Sequence, residues 1–308
     1  MGSTDTEPLA EGAHTFAVDG LILSYHVHGA GPVCVAHSGG PGVDWGYLRA
    51  PELERHLTLV YLEPVGTGGS DRLPSHPHGY TRARHSRHLA ALIEHLGQPQ
   101  VHLLGHSYGG FVAQHHAVRH PEQVAGLVLY ESAPLVGPEL GVEAMRVMAQ
   151  IAARHAGKPG LEAAMEAFQQ TPTDDESHLR IARAIFPLYL ADYWADERRW
   201  AEAQAALRAT YVSELDERGE PDPIDDRAVL GGLKVPTLVV VGRFDIICGL
   251  RWGEELHLLI PNARLLVLER SGHFGHLEEP ERFAREVAAF VTAAEHSAHT
   301  ATIDWGLG

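Results

Sequence analysis

The chain has 308 residues, of which 44% are hydrophobic, and a formal net charge of −16 from 24 basic and 40 acidic residues. This length suits one large α/β domain with an inserted segment, and the acidic balance argues against nucleic acids and anionic membrane surfaces as partners. The two cysteines, Cys34 and Cys248, are too few for a disulfide framework or a cysteine-built metal site. No signal-like start and no apolar run of about 18 residues occurs, so we expect a soluble, cytoplasmic protein.

The first predicted element is an antiparallel N-terminal hairpin. In "LILSYHVHG", which follows the "VDG" turn, apolar residues fall on alternate positions, as in a half-buried strand. Nearly continuous apolar runs follow, and such runs are typical of strands buried on both faces of a sheet. These runs span 33–36, 57–62, 101–105, 124–130, 237–242 and 264–269.

Amphipathic segments alternate with these strands, at 82–97, 107–121, 252–261 and 280–296. The alternation predicts an α/β fold with a mostly parallel eight-stranded sheet and helices on both faces. From 135 to 232 the patterns are helical, so we expect an inserted helical cap there. The predicted organisation is a core of residues 1–134 and 233–296, the cap at 135–232, and a C-terminal tail at 297–308.

The sequence "GHSYG" lies where a predicted strand becomes a helix. A serine between glycines at such a junction is typical of a nucleophile elbow, in which a strained turn exposes the hydroxyl at a helix N-terminus. The pattern by itself also fits a glycine-rich turn, so its context decides. The candidate nucleophile is Ser107.

A serine needs a base to remove its proton, and the base needs an acid to orient it. Asp245 follows the predicted strand 237–242, and His273 follows the strand 264–269. Catalytic groups in α/β sheets gather at the carboxyl ends of the strands, so Ser107, Asp245 and His273 form the predicted triad. Two alternatives remain: His276 as the base and Glu131, at another strand end, as the acid.

A tetrahedral intermediate needs amide donors for its oxyanion. Tyr108 follows the nucleophile, and Gly40 lies in "HSGGPG", so these two residues are the predicted oxyanion donors. Further residues are predicted to line the substrate pocket, either beside these donors, at strand ends or in the aromatic part of the cap. They are Gly39, His37, His106, Glu131, Phe244, Phe186, Tyr189 and Trp194.

We expect no cofactor and no metal ion, despite the 22 histidines. His116 and His120 are spaced like a helical zinc pair, but no third ligand is evident and solvent-facing positions explain them better. The predicted partner is a small-molecule substrate, because a cap over the nucleophile encloses the site. The sequence leaves the oligomeric state open and is compatible with a homo-oligomer.

Together these stretches resemble the α/β-hydrolase superfamily, and within it the branch of the proline iminopeptidases. "SGGPG" is similar to that branch's His-Gly-Gly-Pro-Gly, with Ser38 in the place of the histidine, and "SGHFGHLEEPERF" is similar to its histidine loop. The resemblance implies an α/β-hydrolase fold, the same triad and the same oxyanion pair. "EPVGTGGS" departs from the branch's Asp-Gln-Arg-Gly-x-Gly-x-Ser, with Glu63, Pro64 and Val65 in place of the first three residues.

The predicted function is a serine hydrolase that cleaves an ester, lactone or small amide through an acyl-enzyme. An iminopeptidase-like aminopeptidase is an alternative, since such enzymes hold the substrate amine with acidic cap residues. Four cap carboxylates are candidates for that role: Asp192, Asp196, Glu197 and Glu202. A lyase or a ligand receptor on the same fold is the third possibility.

Overall fold

The computed structural model describes residues 7–303, with side chains described for residues 7–295. Its strands are β1 (Gly12–Val18), β2 (Leu21–His28), β3 (Val33–His37), β4 (Thr58–Leu62), β5 (Val101–His106), β6 (Val124–Tyr130), β7 (Thr237–Gly242) and β8 (Ala263–Leu268). They form one sheet in the order β1-β2-β4-β3-β5-β6-β7-β8. The pairs β1–β2 and β2–β4 are antiparallel, and the remaining pairs are parallel.

The helices are α1 (Pro51–Glu54), α2 (Arg82–His95), α3 (Tyr108–Arg119), α4 (Pro138–Arg154), α5 (Leu161–Phe168), α6 (Asp175–Ile185), α7 (Glu197–Ala206), α8 (Arg227–Leu230), α9 (Leu250–Leu259), α10 (Gly275–Glu278) and α11 (Pro280–Ile303). Helix α11 therefore continues beyond the predicted end at 296, and residues 304–308 of the predicted tail lie outside the described residues. Short 3-10 turns occur at Trp45–Leu48, Pro121–Gln123, Phe186–Tyr189 and Tyr193–Ala195.

The N-terminal hairpin has the predicted alternation. Asp19 and Gly20 connect β1 to β2 with positive φ angles of 53° and 78°, as a tight hairpin turn requires. Leu23, Tyr25 and Val27 in β2 are buried, whereas the residues between them are partly exposed. This alternation fixes which face of the strand meets the core.

Helices cover both faces of the sheet, as the sequence predicts. One hydrophobic cluster joins the sheet to α2, α3 and α9, which contribute Leu92, Val112 and Trp252. A second cluster on the other face contains Leu53 of α1 and Phe283 of α11. The central strands are thus buried on both sides, which explains their nearly continuous apolar sequences.

Between β6 and β7 the chain forms α4 to α8 and contributes no strand to the sheet. This segment contacts the core beside β3, where Thr210 N donates to the Gly42 carbonyl at 2.8 Å and Asp44 N donates to the Arg208 carbonyl at 3.0 Å. Phe186 packs on Phe274 with a 5.5 Å ring separation. The segment therefore covers the carboxyl edge of the sheet, and its exact limits as a separate cap domain stay a prediction.

The sequence predicts no disulfide framework and no membrane-spanning helix. Cys34 and Cys248 are both free and buried. Within residues 7–303, every helix is too short or too polar to cross a membrane.

Candidate active site

Ser107 occupies a strained turn between β5 and α3. Its φ of 53° and ψ of −117° cost a non-glycine residue on the order of 1–3 kcal/mol. The flanking glycines make the turn possible, because a Cβ on Gly105 would lie 2.3 Å from the Gly109 carbonyl oxygen, and one on Gly109 would lie 2.3 Å from the His37 carbonyl oxygen. The turn therefore presents the serine hydroxyl at the first turn of α3.

Asp245 and His273 meet at the ends of β7 and β8. Asp245 Oδ2 lies 2.9 Å from His273 Nδ1, and the Asp245 carboxylate also accepts hydrogen bonds from Ile247 N at 2.8 Å and Cys248 N at 3.2 Å. Burial by itself would raise the pKa of Asp245, but His273 and these hydrogen bonds bring it below its ordinary value. Asp245 is therefore an ionised partner that orients the His273 ring through Nδ1.

Ser107 and His273 line the same cavity of about 260 Å³, together with Gly39, Gly40, Tyr189 and apolar residues of α6. A second cavity of about 230 Å³ also contains Ser107 and Gly40. Ser107 thus borders two partly open cavities, which provide space for the parts of a substrate beside the serine.

The two residues predicted to supply oxyanion donors both line the cavities at Ser107. Tyr108 begins α3, so its N–H belongs to the first turn, where amides lack an intrahelical acceptor. Gly40, with a φ of 124°, lines both cavities. The neighbouring amide of Gly39 is engaged elsewhere, since it donates to Tyr47 Oη at 2.7 Å.

Tyr47 is a functional candidate that sequence reasoning missed. Its hydroxyl lies 2.6 Å from His106 Nδ1, and His106 Nε2 donates to the His273 carbonyl at 2.9 Å. His106 is neutral because burial holds its pKa well below the ordinary value, so Tyr47 donates to Nδ1. A chain of hydrogen bonds thus joins the Gly39 loop, the serine turn and the histidine loop; "WGYL" carries no motif that signals this role.

The rival base, His276, is engaged in a different network. Its Nδ1 accepts from Tyr130 Oη at 2.8 Å, and its Nε2 donates to the Tyr47 carbonyl at 2.8 Å. Burial lowers the pKa of His276 to about 4. Because both ring nitrogens are occupied, the structure favours His273 as the partner of Asp245.

The predicted pocket residues separate into two groups. Gly39, His106 and Tyr189 line the cavity at Ser107. The others lie outside both cavities that contain Ser107: Trp194 and Phe186 pack within hydrophobic clusters, His37 and Glu131 are buried, and Phe244 lines a different cavity. A direct contact between these residues and a substrate stays a prediction.

Two of the four candidate cap carboxylates have structural partners. Asp196 caps α7 by accepting from Arg199 N, and Asp192 lies near Arg154 and His155. Glu197 and Glu202 lie on α7 outside both cavities.

The carboxyl group that does line both cavities is Glu214, in a polar connection whose sequence contains no recognisable motif. It has a φ of 59°, which is uncommon for a non-glycine residue.

The only three-residue cluster in the described chain with metal-binding side chains close together is Glu131, Asp245 and His273, whose ligand atoms lie within 4.8 Å of one another. Hydrogen bonds to backbone amides and between these side chains already occupy it. The prediction that His116 faces solvent is wrong, because His116 is fully buried and its Nδ1 lies 3.0 Å from Ser86 Oγ. Within the described residues, no such cluster includes the His116 and His120 pair.

The fold and the strand-end cluster of Ser107, Asp245 and His273 agree with a match to the family model described as alpha/beta hydrolase fold, over residues 31–280. The chain belongs to this alpha/beta hydrolase family. It is 30% identical over 288 residues to a 2-hydroxymuconate semialdehyde hydrolase of Pseudomonas putida, which covers 90% of this chain and 92% of the relative. A 2-hydroxy-6-oxo-2,4-heptadienoate hydrolase of Pseudomonas putida is 28% identical over 289 residues, which is 90% of this chain and 95% of that protein.

Solved structures show the same fold. An enol-lactonase from Burkholderia xenovorans has a TM-score of 0.65 at 23% identity and covers 91% of this chain and 100% of its own. A meta-cleavage product hydrolase from Pseudomonas fluorescens also has a TM-score of 0.65, at 22% identity, and covers 91% and 98%. The family model and the relatives support the superfamily, and none of these comparisons shows the proline iminopeptidase-like branch.

Proposed function

We propose that the protein is a serine hydrolase that cleaves an ester, lactone or small amide of a small molecule through an acyl-enzyme on Ser107. The observation that carries the proposal is the strained Ser107 in a cavity shared with His273, whose Nδ1 is held by Asp245 at 2.9 Å. The relatives support this class, since their names denote hydrolases of small organic molecules.

The proposed reaction follows from these positions. His273 Nε2 takes the hydroxyl proton as Ser107 Oγ attacks the carbonyl carbon, and the imidazolium is stabilised by Asp245. The amides of Gly40 and Tyr108 donate to the oxyanion. The proton on His273 then passes to the leaving group as its bond to the acyl carbon breaks. Water, deprotonated by His273, hydrolyses the acyl-enzyme and regenerates Ser107.

The cavities favour a compact substrate with a large apolar part. The walls contributed by the inserted helices include Ile181, Ile185 and Leu207, with Arg208 and His178 as polar groups at the same cavity. Apolar walls with a few polar groups are typical of small-molecule sites.

A fluorophosphonate probe tests the proposal directly, because it reacts with an activated serine. We expect the wild type to be labelled and to turn over p-nitrophenyl esters or lactones, and Ser107→Ala to lose both activities. Ser213 is a matched control, since its hydroxyl lies 2.6 Å from His78 Nδ1 but outside both cavities. The Ser213→Ala variant should be labelled as fully as the wild type. If the folded wild type is neither labelled nor active on these substrates, the proposal is contradicted and a ligand receptor is favoured.

An aminopeptidase is the second candidate, and a specific observation favours it. Glu214 and Asp222 both line the second cavity, where a substrate ammonium group would meet two carboxyl groups. If the protein is an aminopeptidase, the wild type turns over proline arylamides. The Glu214→Gln variant then has a higher KM than the wild type for proline arylamides and an unchanged KM for esters. If Glu214→Gln and the wild type have equal KM values for proline arylamides, or if the wild type turns over esters but not arylamides, the aminopeptidase proposal is contradicted.

A further inference from the structure

Glu131 is a buried acidic residue that the reaction above does not use. It follows β6, has a φ of 46°, and is 0% exposed. Its backbone N–H donates to the Val240 carbonyl at 2.8 Å, which fixes the residue between β6 and β7. A strained backbone and a buried carboxyl group are both costly, so their combination beside a reaction centre calls for a specific role.

The carboxyl group of Glu131 has two polar contacts. Its oxygens lie 2.8 and 2.9 Å from Gly242 N, which donates to them at the end of β7. One of its oxygens also lies within 4.8 Å of a carboxylate oxygen of Asp245, and both side chains are buried. Gly242 is itself a close junction, because a Cβ there would lie 2.1 Å from the Gly272 carbonyl oxygen in the histidine loop. Glu131 therefore connects the ends of three strands.

Two buried carboxyl groups this close do not both ionise, because each negative charge disfavours the other, so the pair holds a proton. Asp245 accepts from two amides and from His273, whereas Glu131 accepts from one amide, so the proton belongs on Glu131. Burial and the neighbouring charge of Asp245 accordingly raise the pKa of Glu131 well above its ordinary value. The other titratable groups near this pair are Glu278, Tyr130, Cys248 and Tyr189.

We propose that Glu131 is a positioning residue, a neutral carboxylic acid that donates a hydrogen bond to the Asp245 carboxylate and so holds it against His273. This proposal rests on the proposed function of the triad. With Glu131, Asp245 receives four donors: two backbone N–H groups, His273 and the Glu131 hydroxyl. Four donors match the acceptor capacity of a carboxylate, and they also spread its negative charge.

The substitutions separate this role from others. Glu131→Gln keeps an acceptor for Gly242 N and a donor for Asp245, so fluorophosphonate labelling of Ser107 should stay within about 3-fold of the wild-type rate. Glu131→Leu has neither group, and we expect labelling at pH 7 to be at least about 10-fold slower. Asp245 then carries more concentrated charge beside His273, so the acidic limb of the pH profile should move upward by about one unit.

Matched controls accompany these variants. Glu63 is also a buried glutamate that accepts a backbone N–H, from Gly69, but its side-chain partner is His26 and not a member of the predicted triad. Glu63→Gln should leave the pH profile unchanged. Asp245→Asn shows how much the rate falls when the ionised acid is lost, which is about 10⁴-fold in a comparable triad.

Two kinetic outcomes overturn the proposal. If Glu131→Gln is as slow as Asp245→Asn, Glu131 acts as an ionised acid; if Glu131→Leu keeps the wild-type rate and pH profile, it positions nothing. A difference infrared spectrum of wild type against Glu131→Gln at pH 7 provides a test without turnover. Loss of a protonated-carboxyl C=O band in the variant supports a neutral Glu131, and absence of this band in the wild type overturns it, whether or not Ser107 is labelled or Glu131→Leu folds.

Discussion

Replacing Tyr47 with phenylalanine removes one hydroxyl and thereby two hydrogen bonds. Gly39 N then loses its acceptor at 2.7 Å, and His106 Nδ1 loses its donor at 2.6 Å. Gly39 precedes the predicted oxyanion donor Gly40, and His106 precedes Ser107. The change therefore loosens two segments that must stay in register for the reaction, while leaving the ring and its packing on Phe274 in place.

The magnitude follows from the two groups that lose their partners. An unsatisfied buried polar group costs about 1–3 kcal/mol, and these bonds are partly buried, so we take the low end and expect about 2 kcal/mol in total. For a domain of this size, that loss lowers the melting temperature by about 4 °C. A misplaced oxyanion donor should lower kcat by about 10-fold, less than outright removal of a donor, with little change in KM.

Thermal unfolding and ester kinetics measure both effects in the same protein. Tyr193→Phe is the matched control, because its hydroxyl donates to Gln204 Oε1 at 3.3 Å, outside both cavities. We expect this variant to retain the wild-type kcat. Tyr47→Phe with the melting temperature and kcat of the wild type refutes the inferred connection between the loops.

Two further predictions concern stability. Burial lowers the pKa values of His37 and His276 to about 4, so the folded state binds fewer protons than the unfolded state between about pH 6.5 and 4. Their contribution to the free energy of unfolding is therefore complete above pH 6.5 and decreases as the pH falls, by about 2 kcal/mol per histidine at pH 5. Urea unfolding at pH 7 and at pH 5 measures this change. Equal free energies of unfolding at the two pH values contradict the prediction. Gly109→Ala places a Cβ against backbone atoms and should lower the free energy of unfolding by about 3 kcal/mol or more. Gly141→Ala places its Cβ in open space on α4 and should raise the free energy of unfolding by about 1 kcal/mol. Equal melting temperatures of the two variants argue against this steric reasoning.

The sequence predicted the sheet and the strand-end positions because both depend on local patterns. Continuous apolar runs identify doubly buried strands, and parallel strands place their carboxyl ends at one edge, so Ser107, Asp245 and His273 are expected to converge. The hydrogen bond between Asp245 and His273 agrees with that convergence. The role of Tyr47 was not predictable in this way, because its partners are 8 and 59 positions away and no periodicity links them.

The substrate side of the site was the least predictable part. Aromatic residues of the cap segment pack equally well on each other or on a ligand, and only the fold shows that Trp194 belongs to a cluster with Met148 and Leu161. The proton on Glu131 likewise depends on its distance from Asp245, which the sequence does not specify.

Selection of one base among many histidines is an electrostatic matter. His37, His85, His106 and His276 are all buried near the site, and burial lowers the pKa of each of them below the ordinary value. Within the described residues, none of these four histidines is paired with a carboxylate, whereas His273 Nδ1 lies 2.9 Å from Asp245 Oδ2. A buried imidazole gains a proton readily only where a negative charge offsets its desolvation. His106 and His276 therefore serve as fixed donors and acceptors beside the site, and in the proposed mechanism the Asp245 carboxylate, supported by a neutral Glu131, directs proton transfer to His273.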